Sequence, residues 1–290
     1  MFKGSLVAII TPFKNGKLDE KAFKDLIEFQ IKNGTSGIVP CGTTGESATL
    51  SLEEHERVVE LTVQTTAGRV PVIAGAGSNN TAEAVRLSKY AKSAGADAVL
   101  LITPYYNKPT QQGIYLHVKA VAEEADISIV LYNIASRTGV NIEPHTVAKI
   151  AQIKNVVAIK EASGNIAQMA EIKRLCGDKL VLISGDDALT FPVLSIGGTG
   201  VISVVANIVP AETAEMIKQY EAGNIEASRE IYYRLLPLIK AMFIETNPIP
   251  VKTAMGMMGK ISPELRLPLC PMLPENEKRL KKALKEYKLI

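Results

Sequence analysis

Lys160 closes a short apolar run, Val156-Val157-Ala158-Ile159, and is followed by Glu161-Ala162-Ser163-Gly164. A cation at the end of a run that should be buried is costly unless it is paired or used. Burial pushes an amine toward its neutral form, and a neutral lysine is the nucleophile of Schiff-base chemistry. By itself, a lysine in this place can simply emerge into water where a strand ends, so its neighbours decide the reading. Thr43 and Thr44 lie in Cys41-Gly42-Thr43-Thr44-Gly45-Glu46, Tyr132 ends a second apolar run, and Arg137 follows shortly after. Taken singly, these are a turn, a core aromatic and a solvated cation. Brought to one place, hydroxyls, a phenol, an amine and glycine-exposed backbone suit proton transfer and carboxylate binding. That set points to imine chemistry on a keto acid.

The elements that must position these residues recur along the chain. Eight apolar runs, at 6–10, 37–40, 70–74, 98–102, 127–132, 156–160, 180–184 and 200–205, are nearly continuous in Val, Ile, Leu and Ala. Such runs fit parallel strands covered on both faces. Helical segments separate them. Asp19 caps a stretch with Phe23, Leu26, Ile27 and Ile31 on one side, ended by Asn33-Gly34; Ser51 and Glu54 form a capping box; Gly95 stops a third helix. Eight strand–helix units predict an α/β fold of the TIM (β/α)8 barrel type. A doubly wound sheet fits less well, because no G-x-G-x-x-G opens a helix after the first run. After residue 207 helices are expected at 211–220, 225–244 and 274–287, with Pro237 kinking the second. The expected organisation is a catalytic barrel over 1–224 and a C-terminal helical extension over 225–290.

Composition narrows the function classes. The chain has 290 residues, 47% of them hydrophobic, and a formal net charge of +3 from 33 basic and 30 acidic side chains. That balance gives no reason to expect nucleic acid or a membrane surface as partner. No apolar segment approaches the roughly 20 residues of a membrane helix, and no signal peptide is evident, so a cytoplasmic protein is expected. Cys41, Cys176 and Cys270 lack metal-ligand spacing and read as small buried hydrophobes. His55, His117 and His145 are scattered, and neither a metal nor a cofactor is expected. The basic cluster at 278–282 reads as the solvated face of a helix whose apolar stripe is Leu280, Ala283, Leu284 and Tyr287.

The runs' ends carry further pattern. Gly42-Thr43-Thr44-Gly45-Glu46-Ser47, Tyr132-Asn133 with Ser136-Arg137-Thr138-Gly139, and Lys160-Glu161-Ala162-Ser163-Gly164 resemble the signatures of the dihydrodipicolinate synthase family. Thr103-Pro104-Tyr105-Tyr106-Asn107, Ser184-Gly185-Asp186-Asp187 and Asn247-Pro248-Ile249-Pro250-Val251-Lys252 are similar to it as well, in order and across the whole chain. The resemblance implies a class I aldolase-type lyase that condenses pyruvate with L-aspartate 4-semialdehyde, in lysine and diaminopimelate synthesis. It implies Lys160 as the Schiff-base residue, Tyr132 as proton donor and acceptor, and Thr43 and Tyr106 as a relay, with Tyr106 coming from a neighbouring subunit. Thr44 and the backbone of Ile202 are implied to hold pyruvate, and Arg137 and the Gly185 backbone the semialdehyde. A homotetramer is implied, with L-lysine as an inhibitor bound at Ser47, Ala48, His55, Asn79, Glu83 and Tyr105. Leu52 departs from that inhibitor pattern, since some lysine-sensitive members have histidine there.

The alternatives are an N-acetylneuraminate lyase or keto-sugar-acid aldolase of the same superfamily, a non-catalytic barrel binding small acids, and a phosphosugar isomerase. Thr44 and the 136–139 segment favour the synthase over the other enzymes of the superfamily; a non-catalytic barrel would tolerate loss of Lys160 or Tyr132, yet both are present. The isomerase needs a glutamate base and a phosphate loop that the sequence does not offer.

Overall fold

The computed structural model describes residues 2–290. Eight strands form one parallel sheet: β1 (Gly4–Ala8), β2 (Gly37–Val39), β3 (Ile73–Gly75), β4 (Ala98–Ile102), β5 (Ser128–Asn133), β6 (Val156–Glu161), β7 (Val181–Ser184) and β8 (Gly200–Ser203). Their order, β2-β1-β8-β7-β6-β5-β4-β3, is that of a barrel opened between β2 and β3. A bridge between Ile38 and Val72 spans that gap, and the Gly75 amide donates to the Pro40 carbonyl at 2.9 Å. The chain therefore folds as a TIM barrel.

Alternation along the strands makes two cores. Leu6, Ala8, Val39, Ile73, Leu100, Val130, Ala158, Ile183 and Ile202 fill the barrel lumen with Tyr132. Val7, Ile9, Val99, Ile129, Leu131, Ile159, Leu182 and Val201 face the surrounding helices. Burying each such aliphatic side chain contributes about 1.5–3 kcal/mol, so the two-sided apolar runs are what hold a parallel sheet together.

The caps lie where the sequence puts them. Asp19 accepts from the Ala22 amide, Ser51 and Glu54 form the full capping box, and Gly95 ends its helix in the left-handed region. Strand limits differ from the sequence reading at several ends. Residues 9 and 10 are buried but outside the ladder, and β3 begins only at Ile73, after Pro71, which has no amide to donate. A two-stranded antiparallel hairpin, Phe13–Lys14 with Lys17–Leu18, follows β1 and was not expected. Cys270 is exposed, unlike Cys41 and Cys176, so the buried-hydrophobe reading is wrong for it.

The helix after β8 is Pro210–Glu221. Ile225–Ala241 packs back along it, with the Ser228 hydroxyl donating to the Met216 carbonyl at 2.7 Å, and ends three residues before the expected 244. That helix runs on through Pro237. Ile249–Met257 and Pro274–Glu286 complete the C-terminal segment, the latter burying Leu280 and Leu284 under a charged face. Among the described residues no helix is long and apolar enough to cross a membrane.

Candidate active site

Strands β5 and β6 run side by side with Tyr132 opposite Lys160. Both side chains face the lumen; Lys160 is 6% and Tyr132 4% exposed. The Lys160 Nζ lies 4.2 Å from the centre of the Tyr132 ring, within cation–π range. The other buried lysine, Lys252, is ion-paired to Glu46, whereas no carboxylate pairs with Lys160 among the described residues. An amine kept dry beside a phenol, and not tied up by a carboxylate, is available to attack a carbonyl.

Gly185, at the end of β7, leaves the room this lysine uses. A Cβ there would stand 2.7 Å from the Ala162 Cβ and 3.1 Å from both Cγ and Cε of Lys160. Gly185→Ala must therefore displace one of them. The expected outcome is turnover lowered by about tenfold to a hundredfold, since small misplacements of reacting groups are costly. Steady-state rates alongside a thermal melt check it, and an unchanged rate would remove the steric role of Gly185.

The two threonines sit in a tight loop after β2. Cys41 and Glu46 bracket it with φ of 55° and 52°, in the left-handed region that non-glycine residues avoid. Such backbone costs about 1–3 kcal/mol per residue and persists only where the surroundings impose it. Here the Gly45 and Glu46 amides donate to the Gly42 and Thr43 carbonyls at 3.1 Å, and the Thr11 hydroxyl donates to the Gly45 carbonyl at 2.7 Å. The Glu46 carboxylate is fully buried; it accepts from Lys252 Nζ and, at 3.1 Å, from the Arg266 amide. Burial pushes the Lys252 amine down, against the pull of Glu46. Thr44 is buried too and accepts from Asn247 Nδ2 at 3.0 Å. With that lone pair occupied, the Thr44 hydroxyl proton is free to point elsewhere. Burial pushes the Cys41 thiol up, which leaves it protonated and unsuited as a nucleophile.

Arg137 stands on the short helix Ala135–Thr138 after β5 and donates from Nη2 to the Asn247 carbonyl at 3.1 Å. Thr43, Tyr132, Arg137 and Asn247 line a cavity of about 510 Å³ that Ser47, Ala48, His55, Glu83 and Tyr105 also line. Five of the expected inhibitor residues thus border the same space as Thr43, Tyr132 and Arg137, and Leu52 borders it as well, whereas Lys160, Thr44, Gly185 and Ile202 do not line it. Asn79 adjoins it through a 3.2 Å bond from Nδ2 to the Tyr105 carbonyl. Burial pushes the His55 imidazole down. Ile202 is buried in β8 beside Leu6 of β1. Just beyond it, the Val204 and Val205 amides donate to Asp187 Oδ2 at 2.9 and 3.0 Å, which fixes the strand's exit. Tyr106 is the residue a single chain does not bring in: it is 89% exposed, with φ of 71°. Among the described residues no cluster of three His, Cys, Asp or Glu is placed to hold a metal.

Residues 1–287 match the model of the Dihydrodipicolinate synthetase family. The chain belongs to that family. As a member of the dihydrodipicolinate synthetase family it is 60% identical over 291 residues, with all of both chains covered, to the 4-hydroxy-tetrahydrodipicolinate synthase of Syntrophobacter fumaroxidans. Its fold is similar to that of the chloride-inhibited dihydrodipicolinate synthase of Acinetobacter baumannii complexed with pyruvate. The TM-score is 0.98 at 42% identity, with both chains fully covered. It is also similar to the Cyanidioschyzon merolae enzyme with lysine bound, at TM-score 0.96 and 41% identity over 100% of this chain and 99% of that one.

The segment 247–252 carries no residue role in the sequence. In the fold, Asn247 touches Thr44 and the Arg137 guanidinium, and Lys252 anchors Glu46. The available signal was a lysine inside the apolar stretch Ile249-Pro250-Val251-Lys252, which is as costly to bury as Lys160.

Proposed function

We propose that this lyase condenses pyruvate with L-aspartate 4-semialdehyde through a Lys160 imine to give 4-hydroxy-tetrahydrodipicolinate. The observation that carries the reading is a buried lysine facing the Tyr132 ring and, among the described residues, lacking a carboxylate partner. The Lys160 amine, once it has given up its proton, adds to the pyruvate carbonyl, and loss of water leaves the imine. The imine draws electrons from the adjacent methyl group, a proton leaves, and the enamine forms. Its carbon attacks the aldehyde, and the substrate's own amine then adds to the imine carbon, closing the ring and releasing Lys160.

Protons must move at each stage, and Tyr132 is the group within reach of the lysine. A tyrosine is a poor base at its ordinary pKa of about 10, so a chain of hydroxyls that shares the proton is needed. Thr43 and Tyr106 serve as that chain, Tyr106 reaching in from a neighbouring subunit of a homotetramer; its exposure leaves it free to do so. Thr44, its lone pair held by Asn247, donates to the pyruvate carboxylate beside the Ile202 backbone. Arg137 binds the semialdehyde carboxylate with its fork, near the Gly185 backbone. L-lysine binds at Ser47, Ala48, His55, Asn79, Glu83 and Tyr105, most of which border the cavity of Thr43 and Arg137.

A product assay tests the reading. Turnover is expected with pyruvate plus aspartate semialdehyde and not with sialic acid, and millimolar L-lysine is expected to slow it. Cleavage of sialic acid without condensation would assign the barrel to the neighbouring lyases instead. An undiminished rate at millimolar lysine would reject the inhibitor site alone.

A further inference from the structure

Behind Tyr132 and Lys160 lies a buried polar layer that the chemistry above does not use. Side chains alternate along a strand, so Asn133 and Glu161, one residue further on, face away from the lumen. The ladder pairs them with each other just as it pairs Tyr132 with Lys160. Both are fully buried. Asn133 Nδ2 donates to Glu161 Oε1 and, at 2.8 Å, to Asn141 Oδ1; Asn133 Oδ1 accepts from the Ile142 amide at 3.0 Å. Glu161 Oε2 accepts from the Ser163 hydroxyl at 2.5 Å. Gln168 Nε2 donates to Asn141 Oδ1 at 3.0 Å and reaches Glu161 Oε1 at 3.4 Å.

Two features make this layer more than packing. Among the described residues no cation pairs with Glu161, and burial pushes its carboxyl up against the lowering effect of Ser163, Asn133 and Gln168. A glutamine of the same size would avoid that desolvation, but the Asn133 and Gln168 side-chain amides and the Ser163 backbone amide all donate toward the carboxylate, and an acceptor-only group satisfies them together. The segment that carries Arg137 also begins at Asn133 and ends at Asn141, and these two side chains bond to each other. One network therefore ties the end of β5, the end of β6 and the base of the Arg137 loop.

We infer that Glu161 is a positioning residue: through Asn133 and Asn141 it sets the spacing of Tyr132 against Lys160 and fixes the base of the loop carrying Arg137. The inference rests on the imine reading given above. A positioning role is separable from a folding role, because trapping with pyruvate and borohydride counts correctly folded sites independently of turnover. In Glu161→Gln, pyruvate is expected to label Lys160 in the same stoichiometry as in the unaltered protein. Turnover per labelled site should then fall by roughly ten- to a hundredfold, the range that small misplacement of reacting groups produces. Turnover per labelled site equal to the unaltered protein's overturns the inference, as does a loss of activity matched by an equal loss of labelled sites. If Glu161→Gln fails to fold, Asn141→Ala, outside the strands and bonded to Asn133, gives a second readout. It should raise KM for the semialdehyde about fivefold with labelling intact, less than the roughly hundredfold that a 1 Å misplacement can cost, and an unchanged KM overturns the inference. Absence of labelling in the unaltered protein is a different result: it rejects the imine itself.

Discussion

Lys160→Ala is expected to lower turnover by roughly four orders of magnitude or more, the scale of loss when a covalent nucleophile is removed. That corresponds to about 5.5 kcal/mol of transition-state stabilisation. The fold should not suffer in proportion. Lys160 lies over the Tyr132 ring, and no carboxylate partner is stranded by its loss among the described residues. Removing a buried and unpaired amine also removes a desolvation cost, so the melting temperature should hold or rise, as it does where function is kept at the expense of stability. Rates and melts on the same preparation check both halves. Turnover that survives the substitution would reject Lys160 as nucleophile, and a collapse of the melt would make it a structural residue.

Lys252→Ala should behave in the opposite way. Lys252 and Glu46 are both fully buried and paired, and Lys252 Nζ also donates to the Thr11 carbonyl at 2.9 Å. Truncating one partner of such a pair leaves the other charge buried without it, at a cost of about 3–5 kcal/mol. For a chain of this size that is a fall of about 10 °C in melting temperature. The double variant Glu46→Gln/Lys252→Met removes both charges and should lose clearly less than the single one, a coupling read by a double-mutant cycle. Because Glu46 closes the loop of Thr43 and Thr44, the single variant should also lose activity while Lys160 stays reactive toward pyruvate. A change in stability below about 1 kcal/mol would place this pair among the ion pairs that contribute little, and the loop would need another anchor.

The two buried lysines also mark how far the sequence could be read. The apolar runs announced the strands, because a sheet covered on both faces admits little else, and Lys160 was visible because it interrupts one of them. Lys252 interrupts an apolar stretch in the same way, but its partner lies 206 residues away, and Asn247 bonds to Thr44 across 203. Nothing in local periodicity joins such residues; only the packed C-terminal helices do. The resemblance implies a place for the Gly185 backbone near the semialdehyde, but its steric role exists only beside the Lys160 side chain. The outward clamp of Asn133 and Glu161 was hidden for a related reason: alternation says which way they face, but not that donors surround the carboxylate. The hairpin after β1 escaped because its strands are two residues long, too short for any alternation to show.

One measurement tests the Lys160 imine most directly. The protein is mixed with pyruvate, reduced with borohydride, digested, and its peptides are weighed. A reduced pyruvate adduct on Lys160, absent without pyruvate and absent in Lys160→Ala, is the predicted result. An unmodified Lys160, or an adduct carried by Lys252 or a surface lysine instead, would contradict it.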